Sequence, residues 1–131
     1  MARLEEKIEA LLKDPDQTLA EIFVVVEQHL GFVPSILKGM AERPDILIPS
    51  VLTAYFLLGE PKALDRKTAE LIAFACAVSV RGDACTKVHL REAKKAGASQ
   101  QEIFEAVMIA SMMAQTAVQA SALRVCETAG E

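Results

Sequence analysis

Aromatic residues are scarce in this 131-residue chain, which has no tryptophan, one tyrosine and five phenylalanines. Yet 52% of its residues are hydrophobic, so alanine, leucine, valine, isoleucine and methionine fill the core. A β-sheet usually draws on more β-branched and aromatic residues, and this composition favours closely packed helices. The length suits one domain over residues 1–131. The composition therefore predicts a single all-α domain.

An excess of positive charge is also missing, since 14 Lys and Arg face 18 Asp and Glu and the net charge is −4. This balance gives no electrostatic reason to expect nucleic acid or an anionic membrane as partner. Residues 106–123 carry no formal charge and match the length of a membrane span, but five polar side chains lie among them. Burying those in lipid is costly, so we expect no membrane partner.

Paired cysteines and metal-ligand clusters are absent from the sequence. The three cysteines, Cys76, Cys85 and Cys126, have no framework spacing, and the first ten residues carry charges in place of an apolar signal segment. Both features predict a reducing, cytoplasmic setting. The two histidines and three cysteines lack zinc-type spacing, and no glycine-rich phosphate loop or dinucleotide fingerprint occurs. The sequence therefore predicts no metal and no other cofactor.

Proline, glycine and capping residues divide the chain into five or six helices. Helices are predicted over residues 3–13, from 16 or 18 to about 29, from 44 to about 58, 66–80, about 84–96 and about 100–128, with a bend and a short helix within 31–43. Asp16 or Thr18 is expected to cap the second helix, Asp65 the 66–80 helix, and Ser99 with Glu102 forms a capping-box pattern.

Two of these helices are apolar or weakly polar nearly all round, over residues 71–80 and 106–123. A helix that is apolar on every side is expected to be buried on every side. Cys76 and Cys126 lie inside such helices and are predicted to belong to the core. Because a chain of this size has difficulty surrounding both helices, we expect a homo-oligomer.

Cys85 and His89 lie four residues apart on the 84–96 helix and therefore share one face. Glu92 continues that face, whereas the opposite face is basic and predicted to be solvated (Lys87, Arg91, Lys94 and Lys95). Cys85 also lies in the first turn, where exposed N–H groups and the helix dipole favour a thiolate. Asp83 is expected to be the N-cap. The pattern suits a nucleophilic thiol next to an imidazole base.

Glu70 is the last charged residue before ten uncharged ones, and a partly desolvated carboxylate there suits proton transfer. Simpler interpretations remain open on the residues alone. Glu70 follows Arg66 by four residues, which suits a surface ion pair. Cys85 and His89 are also compatible with ordinary core positions.

Residues 64–107, LDRKTAELIAFACAVSVRGDACTKVHLREAKKAGASQQEIFEAV, resemble the core motif of the carboxymuconolactone decarboxylase / alkylhydroperoxidase D-like family. That motif reads L-(D/S)-x-(K/R)-x-x-E-L-I, then C-x-x-C-x-x-x-H, then A-x-x-x-G-A-(S/T)-x-x-E-I. The upstream GFVPSILKGMAERPDIL is similar to the family's G-x-x-P segment. The resemblance implies an all-helical domain that assembles as trimers or hexamers.

The resemblance also implies roles for single residues. In peroxidase members the second cysteine of C-x-x-C attacks the peroxide, the first resolves it, and a glutamate and a histidine relay protons. Cys85, His89 and Glu70 match the attacking cysteine, the histidine and the glutamate, whereas Gly82 occupies the position of the resolving cysteine. The implied function is a thiol-dependent peroxidase without its usual resolving cysteine, acting on a hydroperoxide with an unknown thiol reductant.

Two alternatives stay open at this point. The decarboxylase branch acts on a lactone acid without a cysteine pair, so Glu70 and His89 would perform acid–base chemistry on a small carboxylic acid, with Arg81 as the nearest candidate anion-binding group. A non-catalytic oligomeric member would keep the fold and lose the chemistry.

Overall fold

A computed structural model describes residues 3, 6, 9, 10 and 12–129, which are helical over most of their length and contain no strand. The α-helices are α1 (Pro15–Leu30), α2 (Ser35–Gly39), α3 (Pro44–Ala54), α4 (Arg66–Ser79), α5 (Asp83–Lys95) and α6 (Gln100–Thr128). A π-helical turn, Tyr55–Gly59, follows α3. The predicted all-α class is confirmed. The helix predicted over residues 3–13 falls largely on residues outside the described part of the chain.

The chain divides into two compact units, residues 1–57 and residues 58–131. The expected single domain over residues 1–131 stays a prediction. The first unit contains α1 to α3, and its core is built on Leu19, Leu47 and Ile48. The partly buried side chains packed against this core are apolar (Leu12, Ile22, Phe23, Leu37, Met40 and Val51).

Helix α1 begins earlier than predicted. Asp14 is its N-cap and accepts a hydrogen bond from the backbone N–H of Gln17, so neither Asp16 nor Thr18 caps it. The reason is Pro15, which the sequence pattern treated as a helix stop. Proline lacks the N–H that a first helical residue leaves unpaired, and its fixed φ suits that position, so it starts the helix.

The second unit contains α4, α5 and α6, and α4 packs against both of the other helices. Asp65 caps α4 as predicted, and its carboxylate accepts from the N–H and hydroxyl of Thr68, which lowers the pKa of Asp65. The predicted capping box of Ser99 and Glu102 opens α6. Lys67 then joins the two helices, because its Nζ lies 2.7 Å from Glu102 Oε1. These contacts fix the start of α4 beside the start of α6.

Helix α4 is buried on one side only, which contradicts the expectation of burial all round. Its buried residues are Ala69, Glu70, Phe74 and Ala77. Ile72 is 49% exposed and Cys76 is exposed as well. The reason is that α5 and α6 both pack on the buried side of α4, and the side that carries Ile72 and Cys76 stays exposed.

Helix α6 departs further from the expectation. Its buried residues are Ile103 and Ala110, and residues 115–129 are exposed throughout, Cys126 among them. The predicted core position of Cys126 is therefore wrong for the single chain. By length and composition α6 is the one helix of the described residues that matches a membrane span, and 6% of its most apolar window is buried. Length and composition are weak support for a span, because the core helix of a soluble protein has both.

Candidate active site

The connection between α4 and α5 is tight. The N–H of Gly82 donates to the carbonyl of Ala77 at 2.9 Å, and Arg81 has the left-handed φ of 57°. Left-handed backbone is uncommon for a residue with a side chain. This turn reverses the chain, so that α5 runs back along α4 and its residues face those of the preceding helix.

Glu70 on α4 and His89 on α5 meet across this contact. Nδ1 of His89 lies 2.9 Å from Oε2 of Glu70, and the side chains are 21% and 5% exposed. An ionised carboxylate accepts hydrogen bonds only, so the proton of the neutral ring lies on Nδ1 and Nε2 carries the lone pair. The arrangement presents Nε2 as a proton acceptor.

Cys85 lies in the first turn of α5, one helical turn before His89, and is exposed. Gly82 is the N-cap of α5 and Asp83 its first residue, so the expectation that Asp83 caps the helix is wrong. Because Gly82 has no side chain, the N-cap provides no side-chain acceptor for the backbone N–H groups in the first turn of α5. Within the described residues, the sulfur of Cys85 makes no hydrogen bond to the His89 ring. The i to i+4 spacing places the two side chains on adjacent turns, within reach of a bridging water or a rotamer change.

A second buried carboxylate, Glu92, lies one turn beyond His89 on α5 and is 3% exposed. Its Oε2 accepts from Arg66 at 3.2 Å and its Oε1 from Lys95 at 2.8 Å. The sequence placed Glu92 on the same face as His89 but gave no partner for it. The one available signal was the i to i+3 spacing of Glu92 and Lys95.

The simpler interpretation of Glu70 is not what the structure shows. Arg66 donates to Glu92 on α5, and Lys67 donates to Glu102 on α6. Glu70 is therefore not the acceptor of a surface ion pair along α4. Its hydrogen-bond partner is the imidazole of His89.

Lys87, Arg91 and Lys94 are exposed as expected of the basic side of α5. Lys95 is exposed too, but its Nζ donates to the buried Glu92, so the expectation of a solvated side chain is wrong for Lys95. Arg81, the predicted anion-binding candidate, is exposed at the α4–α5 turn. Within the described residues, no group of three or more His, Cys, Asp and Glu side chains is arranged to hold a metal ion.

Comparison with known families decides the relationship. The model of the "Carboxymuconolactone decarboxylase family" matches residues 50–128, which include the whole α4–α5 contact. The chain belongs to the carboxymuconolactone decarboxylase family. A search of curated proteins finds no match to it.

Gly82 occupies the position at which the motif C-x-x-C has its first cysteine. Its φ of −82° and ψ of 77° are open to any L-residue, so no backbone constraint requires glycine there. A Cβ added at Gly82 would lie 3.8 Å from Cβ of Cys85 and 3.6 Å from the carbonyl oxygen of Ala77, both ordinary contacts. Disulfide-bonded cysteines have Cβ atoms about 3.8 Å apart. The backbone thus keeps the Cβ–Cβ distance of a C-x-x-C disulfide although Gly82 replaces the first cysteine.

Proposed function

We propose that the protein is a thiol-dependent peroxidase in which Cys85 attacks a hydroperoxide, His89 transfers protons and Glu70 orients His89. The observation that carries the proposal is the buried Glu70 carboxylate bonded to Nδ1 of His89, one turn from an exposed cysteine at a helix N-terminus. A nucleophile, a base and a group that orients the base form the usual arrangement for activating a weak nucleophile.

The first half-reaction oxidises Cys85. Nε2 of His89 takes the thiol proton, directly or through one water, and the sulfur attacks the terminal peroxide oxygen. The S–O bond forms as the O–O bond breaks, and the departing alkoxide receives the proton from His89. Cys85 ends as a sulfenic acid and the hydroperoxide as an alcohol. Cys85 lies in the first turn of α5, so the charge that develops on its sulfur lies at the positive end of the helix dipole.

The second half-reaction requires thiols from outside the chain, because Gly82 provides none. A low-molecular-weight thiol condenses with the sulfenic acid to give a mixed disulfide and water. A second molecule of the thiol attacks that disulfide, restores Cys85 and leaves as the oxidised thiol. The exposure of Cys85 supports this route.

The test compares the wild type and two variants for consumption of cumene hydroperoxide with a small thiol as reductant. Cys76→Ala/Cys126→Ala keeps Cys85 as the sole cysteine and should retain the wild-type rate. Adding Cys85→Ser should reduce the rate about 100-fold or more, to the uncatalysed level. If the cysteine-free protein consumed peroxide as fast as its parent, the thiol mechanism would be excluded.

A second candidate is acid–base catalysis on a small carboxylic acid, as in the decarboxylase branch of the family. The observation that favours it is that the Glu70–His89 pair is complete without the cysteine. Cys85→Ser should then leave turnover of the carboxylic substrate unchanged, whereas His89→Gln abolishes it. A protein inactive on both substrate classes would be a non-catalytic member of the family.

We also propose that the chain functions as a homo-oligomer in the cytoplasm. Support for the oligomer comes from α6, which exposes apolar side chains along its length (Phe104, Met108, Ile109, Met112, Met113, Val118, Leu123 and Val125). Contiguous apolar surface of this kind marks an association site. A helical segment the length of residues 115–128 is at best marginally stable in water without tertiary contacts.

A further inference from the structure

The buried carboxylate of Glu92 is held by cations that reach it from the surface. Glu92 has a side-chain exposure of 4%, whereas Arg66 and Lys95 have 44% and 41%. Arg66 comes from α4 and Lys95 from one turn further along α5. A buried carboxylate is tolerated when such partners compensate its charge.

Helical spacing offers Arg66 a second acceptor besides Glu92. It precedes Glu70 by four residues on α4, the spacing at which an arginine and a glutamate of one helix form an ion pair. In the structure its Nη2 lies 3.2 Å from Glu92 instead, and Glu70 bonds to His89. An arginine–carboxylate pair is stronger than a bond from a neutral imidazole. Arg66 released from Glu92 would therefore compete with His89 for Glu70.

We infer that Glu92 is a positioning residue: it holds Arg66 away from Glu70 and so keeps the Glu70 carboxylate bonded to Nδ1 of His89. Without that acceptor, the ring loses the contact that fixes its tautomer and leaves Nε2 as the base. The proposal rests on the proposed function only for the consequence in turnover, since the Glu70–His89 bond can be observed by itself.

The experiment uses the full chain in a His29→Gln background, which leaves one imidazole in the spectrum. The ¹⁵N resonance of Nδ1 reports whether that nitrogen donates a hydrogen bond. Glu92→Gln keeps the shape of the side chain and removes its charge. It should shift this resonance towards that of a solvated imidazole and lower the rate of peroxide reduction about tenfold, as part of a proton-transfer contribution of roughly 10²- to 10⁴-fold.

The double variant Glu92→Gln/Arg66→Gln separates positioning from simple destabilisation. Removing the released arginine should restore the resonance, and the rate to within about twofold of Arg66→Gln alone. Arg66→Gln by itself leaves Lys95 on Glu92 and should change neither readout. Arg91→Gln is the matched control, because it removes an exposed arginine next to Glu92 in sequence.

A purely structural role predicts the opposite order, with the double variant no better than Glu92→Gln, and that result would overturn the proposal. An unchanged His89 resonance in Glu92→Gln would overturn it as well. If Glu92→Gln does not fold, Glu92→Asp withdraws the carboxylate by one methylene and should shift the resonance in the same direction. If the resonance responds as expected but the wild-type protein reduces no peroxide, the positioning role stands and the proposed function fails.

Discussion

Protein interiors are usually apolar and charged residues usually lie at the surface. The α4–α5 contact departs from this rule by burying charged side chains, and the outer surface of α6 departs from it by exposing apolar ones. The contact buries two carboxylates, Glu70 at 4% and Glu92 at 3% exposure. The surface of α6 leaves Phe104 62% and Met112 56% exposed. Within the described residues, every buried side-chain nitrogen and oxygen at the contact has a hydrogen-bond partner. The polar region is thus complete within one chain, whereas the same chain leaves the apolar region uncovered.

The largest effect is expected on α6. Wild-type protein should have a solution mass that is a multiple of the chain mass, and Met112→Glu/Met113→Glu should weaken association about 100-fold or more. The reason is that each unpaired charge buried in an interface costs several kcal/mol. Light scattering after size exclusion measures the mass. Lys87→Glu, on the exposed basic side of α5, is the control and should not change it. A wild-type protein that is monomeric at micromolar concentration would contradict the prediction.

The next effect tests the polar region. Glu70→Gln keeps the volume of the side chain but removes the negative charge that stabilises the imidazolium formed when His89 takes the thiol proton, so kcat/KM for peroxide should fall about 100-fold. The change in melting temperature should be small, because an amide oxygen still accepts from the imidazole. The same substitution at the exposed Glu105 should alter neither quantity. Equal activity of the two variants would remove Glu70 from the mechanism.

A smaller effect is expected at the α4–α5 turn, where the contact between the two helices ends. Gly82→Cys should form a disulfide with Cys85 under mild oxidation, because the Cβ positions are 3.8 Å apart. In a Cys76→Ala/Cys126→Ala background, two titratable thiols should disappear and return on reduction. Gly82→Ser has nearly the same volume and serves as control. Two thiols that persist after oxidation would show that the geometry of the missing pair is not retained.

The smallest effect concerns the link between α4 and α6. The Lys67 ammonium and the Ser99 N–H lower the pKa of Glu102 from 4.5 to about 2. A depressed carboxyl pKa stabilises the folded state fully above pH 4.5, and that stability is lost as the pH falls towards 2. The wild-type protein should therefore have a higher melting temperature than Glu102→Gln at pH 7. Near pH 2 the two melting temperatures should be equal. The difference should be modest and shrink in about 1 M salt, since Lys67 and Glu102 are partly exposed. A difference independent of pH would refute this account.

Local rules predicted much of the fold. The Asp65 cap and the Ser99–Glu102 capping box follow from side-chain chemistry within one turn, and both are present. Errors arose where two local rules competed. Asp14 caps α1 in place of Asp16 because Pro15 starts the helix. Gly82 is the N-cap of α5 because the α4–α5 turn places Asp83 inside the helix.

The site was predictable along one helix and not between helices. The shared face of Cys85 and His89 follows from a spacing of four residues. The bond between Glu70 and His89 depends on how α5 folds back on α4, and the same spacing rule favoured Arg66 as the partner of Glu70. Cys76 and Cys126 were assigned to the core because apolar neighbours suggest burial, but burial depends on which helices this chain places around them.

In the proposed homo-oligomer, the exposed half of α6 makes the folding of the protein depend on its concentration. Residues 115–129 contribute no buried residue to the single chain. When a second copy covers them, the free energy of forming that half-helix becomes part of the free energy of association. The melting temperature of this half-helix then rises with protein concentration, and dilution destabilises its folded state. The first unit and the α4–α5 contact, whose buried groups find their partners within one chain, have no such dependence of their own.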